Sequence, residues 1–176
     1  HLSDAQAIDQ SAKEAENIVI IGSGLVGLDA AYGLMETGKN VSIVEMADRI
    51  LPVQLDKTAA KEYQKRFESA GAKFYLGRKA AETKMDETGK ITTVILDNGE
   101  ALKSDLIIVA AGVRSATAGF ETEEIIVDRG MKVDEFMQTG AKDVYAAGDV
   151  TGLSGIWPNA QKQGETAALN MMGGHV

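Results

Sequence analysis

Ile18-Val19-Ile20-Ile21 runs without a polar residue straight into Gly22-Ser23-Gly24-Leu25-Val26-Gly27. No other stretch restricts the fold as much. A strand with one wet face alternates apolar and polar residues, so an unbroken apolar run is expected to be covered on both faces, as in a parallel sheet. The glycines that follow have the spacing GxGxxG. Leu25 to Thr37, rich in Ala, Leu and Met, then reads as a helix ending at Gly38, where a left-handed cap is expected. Val41-Ser42-Ile43-Val44 is the next strand and closes on Glu45, eighteen residues beyond Gly27.

The alternation continues. A helix is expected from Gln54 to Ala70, stopped by Gly71, with a strand at Lys73–Leu76. Strand, helix, strand, helix, strand implies an α/β fold with a doubly wound parallel sheet. Between Lys79 and Lys103 short alternating segments are separated by Glu87-Thr88-Gly89 and Asp97-Asn98-Gly99. These are turn signals, so an antiparallel β-meander is expected in place of a crossover helix. Leu106–Ala110 returns to a buried strand. Ahead of all this, Ser3 to Glu16 reads as a helix capped by Ser3, with Ile8, Ala12 and Ala15 on its apolar face.

After Arg114 the rhythm is lost. Thr117–Glu124 reads as connector and Ile125–Met137 as short extended pieces. Val144–Ala147 is expected to be a strand closing on Gly148-Asp149. Pro158 opens a last helix through about Met172, with Gly173-Gly174 as its stop.

Composition removes several classes of function. A formal charge of −8 opposes binding to a nucleic acid backbone or an anionic membrane surface. The longest strongly apolar run, near Leu106–Gly112, is far too short to span a bilayer. Without cysteine there is no disulfide framework and no thiolate chemistry, and with no secretory signal visible a reducing cytoplasm is expected. The chain opens on His1 rather than methionine, as expected of a processed or excised segment. His1 and His175 lie at the two ends with no partner at ligand spacing, so no metal site is expected. Tyr75 and Lys79 have the spacing of a catalytic Tyr-x-x-x-Lys pair, but Gly77 intervenes after a strand and chance explains them better. Glu121, Glu123 and Glu124 read as a solvated charged stretch.

The glycine-rich segment carries the chemistry. Gly22 permits a tight turn, Gly24 lets a pyrophosphate approach the backbone, and Gly27 lets helix pack on strand. The anion is then expected on the free N–H groups at the helix start, around Leu25 and Val26. Glu45 stands close to the roughly 20-residue distance at which such folds place the ribose-binding acid. A carboxylate there accepts ribose hydroxyls and repels a 2′-phosphate, which points to NAD(H) rather than NADP(H). Arg49 could greet that phosphate, but the favoured reading is a solvated or ion-paired loop residue.

In order along the chain, Ile18–Gly27, Glu45–Pro52, Asp97-Asn98-Gly99-Glu100 and Asp105–Arg114 resemble the NADH domain of the pyridine nucleotide–disulfide oxidoreductases. Val144–Gly152 is similar to that family's second flavin-binding motif. Gly155–Pro158, Gln163-Gly164-Glu165 and Ala167–Gly173 look most like its rubredoxin reductase and nitrite reductase branch. The resemblance implies a fragment of an FAD-dependent NADH oxidoreductase, since only one GxGxxG is present. Residues 1–16 would be a connecting helix, 17–114 a Rossmann-like NAD(H)-binding domain, and 115–176 the second segment of a split FAD-binding domain.

By position, the resemblance puts Gly22 to Gly27, Asp29, Glu45, Met46, Arg49, Gly112 and Val113 at the nicotinamide dinucleotide. Asp29 is one methylene shorter than the family's usual Glu. Asp149 would accept from the FAD ribitol, Gly148 would allow close approach, and the last helix would aim its N-terminus at the flavin. Trp157 either shields the flavin ring or packs in the core. The partner implied is a redox acceptor, protein or small molecule, with the full-length protein a homodimer. The rival reading is a stand-alone NAD-binding sensor or regulatory module without catalysis.

Overall fold

The computed structural model describes residues 1–174 and divides the chain into two units, His1–Gly112 and Val113 onward. In the first unit, α1 (Leu2–Glu14) is followed by β1 (Asn17–Ile21), α2 (Leu25–Glu36), β2 (Asn40–Glu45), α3 (Lys57–Ser69) and β3 (Lys73–Leu76). Then come β4 (Ala80–Met85), β5 (Ile91–Leu96), β6 (Ala101–Lys103) and β7 (Leu106–Val109). Strands β3-β2-β1-β7 form a parallel sheet in that order, and β4-β5-β6 form an antiparallel one.

The apolar run of β1 is buried on both faces, for the reason its pattern suggests. Ile18 and Ile20 face the helices, packing with Ala12, Ala15, Leu28, Ala31 and Ala60. Val19 faces the other way, against Val44 and the meander residues Val94, Leu96 and Leu102. The meander is therefore the lid of the second sheet face, where a crossover helix would otherwise lie. Each large apolar side chain so buried contributes about 1.5–3 kcal/mol.

Two helix starts differ from expectation. Ser3 lies inside the first turn of α1, and the Asp4 carboxylate accepts from the His1 amino group at 2.6 Å. Helix α3 begins at Lys57 rather than Gln54, because Asp56 is its cap and accepts from Ala59 N–H at 2.8 Å. Upstream, Leu51 has φ 46°, outside the helical region, and its carbonyl instead accepts from Gln54 and Leu55 in a separate turn.

The second unit contains a 3₁₀ turn (Gly148–Thr151) and α4 (Trp157–Met171), with Pro158 in its first turn. The strand expected at Val144–Ala147 is reduced to one bridge, Gln138 to Tyr145; the other bridge in this unit joins Val127 to Met131. Met137 and Asp143 flank it with φ of 64° and 62°, and these left-handed residues bend both segments away before a ladder can extend.

Candidate functional site

The glycine loop joins β1 to α2 at the carboxyl end of the parallel sheet. Gly22 has φ 105° and donates its N–H to Val44 O at 2.8 Å. A Cβ on Gly22 would lie 2.4 Å from Ala110 O, and one on Gly27 would lie 2.1 Å from Gly22 O. These two glycines are required by the protein's own packing. Gly24 is different: a Cβ there would meet nothing within 4 Å. Gly24 is also the cap residue of α2, and no side chain caps that helix. The first turn, with Leu25 and Val26 exposed, therefore presents uncapped N–H groups and the positive end of the helix. Open space beside an uncapped helix start is what a pyrophosphate group requires.

Ser23, between the first two glycines, is wholly buried. Its N–H and its hydroxyl both donate to Glu45 Oε2 at 2.8 Å, and Ala47 N–H donates to Glu45 Oε1 at 2.8 Å. Burial pushes the Glu45 carboxyl upward, but the donors from Ala47 and Ser23 outweigh it and hold the group below the usual glutamate range. An anionic side chain is thereby fixed next to the glycine loop. Sequence reasoning placed Glu45 here but missed Ser23 as its partner. A hydroxyl between two glycines carries no signal of which carboxylate it meets.

The segment after β2 is fastened to the same loop, since Leu51 N–H donates to Ser23 O at 3.0 Å. Arg49 is engaged by its own loop: Nη2 donates to Pro52 O at 2.9 Å, Nε to Leu55 O at 3.2 Å, and Nη1 meets Asp48 at 3.0 Å. Met46 is exposed beside Glu45. Asp29 is exposed on α2 with no hydrogen-bond partner among the described residues. Gly112, with φ 92°, stands free just past β7, and Val113 is exposed at the start of the second unit.

In the second unit Gly148 adopts φ 81°, a conformation suited to glycine, and donates its N–H to Gln163 Oε1 at 2.7 Å. The buried Thr151 hydroxyl donates to Gly148 O at 2.8 Å and lies 3.3 Å from the same Gln163 Oε1, so α4 and the 3₁₀ turn hold each other through Gln163. The Asp149 carbonyl accepts from the Ser115 hydroxyl at 2.7 Å, while its carboxylate is exposed and without a partner among the described residues. Helix α4 also lacks a side-chain cap. A free carboxylate, a tight glycine turn and an uncapped helix suit a polyhydroxyl ligand with an electron-rich end. Trp157 is 77% exposed, so it does not pack in the core of its unit. Gln163, on α4, is the partner of this turn to which the sequence assigned no role.

Tyr75 lies on β3 and Lys79 beyond its end, so no helix aligns them. No cluster of three potential metal ligands occurs among the described residues, and His175 lies outside them. No helix among the described residues is long and apolar enough to cross a membrane.

Comparison with known proteins gives a consistent grouping. Residues 1–164 match the profile of the family described as pyridine nucleotide-disulphide oxidoreductase. The chain is 33% identical to the NADH-dependent phenylglyoxylate dehydrogenase subunit epsilon of Aromatoleum evansii, over 98% of this chain and 42% of that protein. It is 32% identical to the assimilatory nitrate reductase electron transfer subunit of Bacillus subtilis (strain 168), over 98% of this chain and 23% of that protein. A solved FAD-dependent pyridine nucleotide-disulphide oxidoreductase from Desulfovibrio vulgaris matches with TM-score 0.78 and 29% identity, covering 100% of this chain and 48% of that one. The chain thus spans less than half the length of each of these proteins.

Proposed function

The chain belongs to the pyridine nucleotide-disulphide oxidoreductase family, and from that premise we propose that it binds NADH on the glycine loop of its first unit and supplies part of the FAD site with its second. FAD and NAD(H) are the cofactors of this family. The observation that carries the reading is Gly24: it alone of the three motif glycines faces open space, beside the uncapped start of α2 and within the loop that Glu45 braces.

Each residue then has a task. The α2 N-terminus and the Gly24 backbone hold the pyrophosphate, and the fixed carboxylate of Glu45 accepts from the adenosine ribose and repels a 2′-phosphate. Met46 and Arg49 shape the surrounding loop, and Asp29, Gly112 and Val113 are assigned to the nicotinamide side. Asp149 accepts a ribitol hydroxyl, and Gly148, held by Gln163, keeps the backbone low enough for contact. The α4 N-terminus, next to Trp157, offers its dipole to reduced flavin. FAD held there would supply the hydride acceptor for NADH and the onward electron transfer. In the longer protein the acceptor is a redox protein or small molecule, in the cytoplasm, and the longer protein works as a homodimer.

Calorimetric titration of this chain with NADH and NADPH tests the reading. Saturable NADH binding, tighter than NADPH, is expected. Absence of NADH binding overturns it. In the longer protein, anaerobic NADH is expected to bleach the flavin absorbance.

A further inference from the structure

Ser23 cannot touch a ligand, because none of its surface is exposed. Yet all its polar groups are used, and all by the segment that follows β2. Its N–H and hydroxyl reach Glu45 Oε2 at 2.8 Å each, and its carbonyl takes Leu51 N–H at 3.0 Å. We propose that Ser23 is a positioning residue for cofactor selectivity: its buried hydroxyl fixes the Glu45 carboxylate so that the site selects a free ribose 2′-hydroxyl over a 2′-phosphate. The inference rests on the NADH reading of this site.

The physical argument concerns the geometry of one carboxylate. A carboxylate oxygen offers two lone-pair directions. Both on Oε2 are occupied by Ser23, so that oxygen is unavailable to a ligand and the side chain cannot swing about its last bond. Ala47 N–H at 2.8 Å engages Oε1 once. One lone-pair direction of Oε1 is thus the one left to meet a sugar hydroxyl. Were the Ser23 hydroxyl absent, Oε2 would keep one donor and the carboxylate could rotate. A rotated carboxylate loses the ribose contact and relaxes its repulsion of a 2′-phosphate together. The same serine joins the phosphate-binding loop to the selectivity loop through Leu51, whose φ of 46° is unusual for leucine.

The test compares NADH and NADPH dissociation constants, by calorimetry, for the unaltered chain, Ser23→Ala and Ser23→Thr. Ser23→Ala keeps the backbone donor and removes the hydroxyl. It is expected to lower the ratio of NADH to NADPH affinity by roughly threefold to tenfold, the worth of one hydrogen bond. Ser23→Thr, which restores a hydroxyl, is expected to recover most of the ratio. If Ser23→Ala proves too unstable to titrate, Ser23→Cys, a weaker donor of similar volume, is expected to lower the ratio in the same direction. Equal weakening of both nucleotides, or an unchanged ratio, would show a merely structural serine and overturn the proposal. Failure of the unaltered chain to bind NADH would overturn the site reading itself, so the two failures are distinguishable.

Discussion

Gly27 is pressed against Gly22 so closely that a methyl group added to it would stand 2.1 Å from the Gly22 carbonyl oxygen. Helix α2 therefore meets the end of β1 backbone to backbone. Gly24, three residues earlier, has no neighbour within 4 Å of its missing Cβ. The two changes Gly27→Ala and Gly24→Ala should part cleanly. Gly27→Ala forces helix and strand apart and is expected to lower stability by about 1–3 kcal/mol, seen in a chemical denaturation curve. Gly24→Ala should unfold like the unaltered chain while binding NADH at least tenfold more weakly, because its methyl group enters open space, where the proposed pyrophosphate would sit, rather than protein space.

Glu45→Ala combines two effects. It leaves the buried Ser23 N–H and hydroxyl without an acceptor, which costs about 1–3 kcal/mol of stability. It also removes the ribose acceptor and the repulsion of a 2′-phosphate. Thermal melting should show the first effect. Paired titrations should show NADH weakened and the NADPH gap narrowed. An intact preference for NADH in this variant would refute the ribose assignment.

Asn17 and Asp105 close the opposite end of the sheet. The Asp105 carboxylate accepts from Asn17 N–H at 2.8 Å, Asn17 Nδ2 at 2.9 Å and Glu16 N–H at 3.2 Å, while Asp105 N–H donates to Asn17 O at 2.7 Å. The Asn17 side-chain and backbone donors hold the Asp105 carboxyl below the usual aspartate range. Glu45 is lowered as well. A carboxylate whose folded value is depressed contributes stability that is complete above its unfolded value, near 4, and is lost as pH falls through the folded one. Denaturation midpoints should therefore be level at neutral pH and fall below about pH 4. In Asp105→Asn that acid-side fall should be shallower, from a lower plateau.

The second unit should exchange its amides faster than the first. Outside α4 and the 3₁₀ turn, its only pairings in sheet geometry among the described residues are the bridges Val127–Met131 and Gln138–Tyr145, whereas β1 is bonded along both edges. Leu153, Ile156, Trp157, Met171 and Met172 are also exposed. Hydrogen exchange should protect Ile18–Ile21 and Ile43–Val44 most strongly, and the Thr117–Asp143 region least. This chain alone should be colourless after desalting, since the FAD contacts proposed for it are confined to the Gly148-Asp149 turn and α4. Uniform protection through Phe120–Gly173 would instead favour a self-sufficient NAD-binding module.

Much of this protein is local, and the local part was legible. The apolar run Ile18–Ile21, the glycines and the acid at Glu45 each act through neighbours in sequence or through a fixed strand-turn-helix geometry. The meander was marked by its own turns, Gly89 and Gly99, both at positive φ. Tertiary structure decided the rest. Ser23 and Glu45 lie twenty-two residues apart, and only the parallel register of β1 on β2 brings a serine hydroxyl to that carboxylate. The same holds for Val19 and Val44 meeting Val94 and Leu96, which turned a meander into a cover for the sheet. The strand expected at Val144–Ala147 failed for the converse reason: its residues suit a strand, but a strand exists only where a partner runs beside it, and here Met137 and Asp143 bend away. Propensity and steric demands are properties of consecutive residues; hydrogen-bond partners and covered faces depend on register between distant segments, which no single segment encodes.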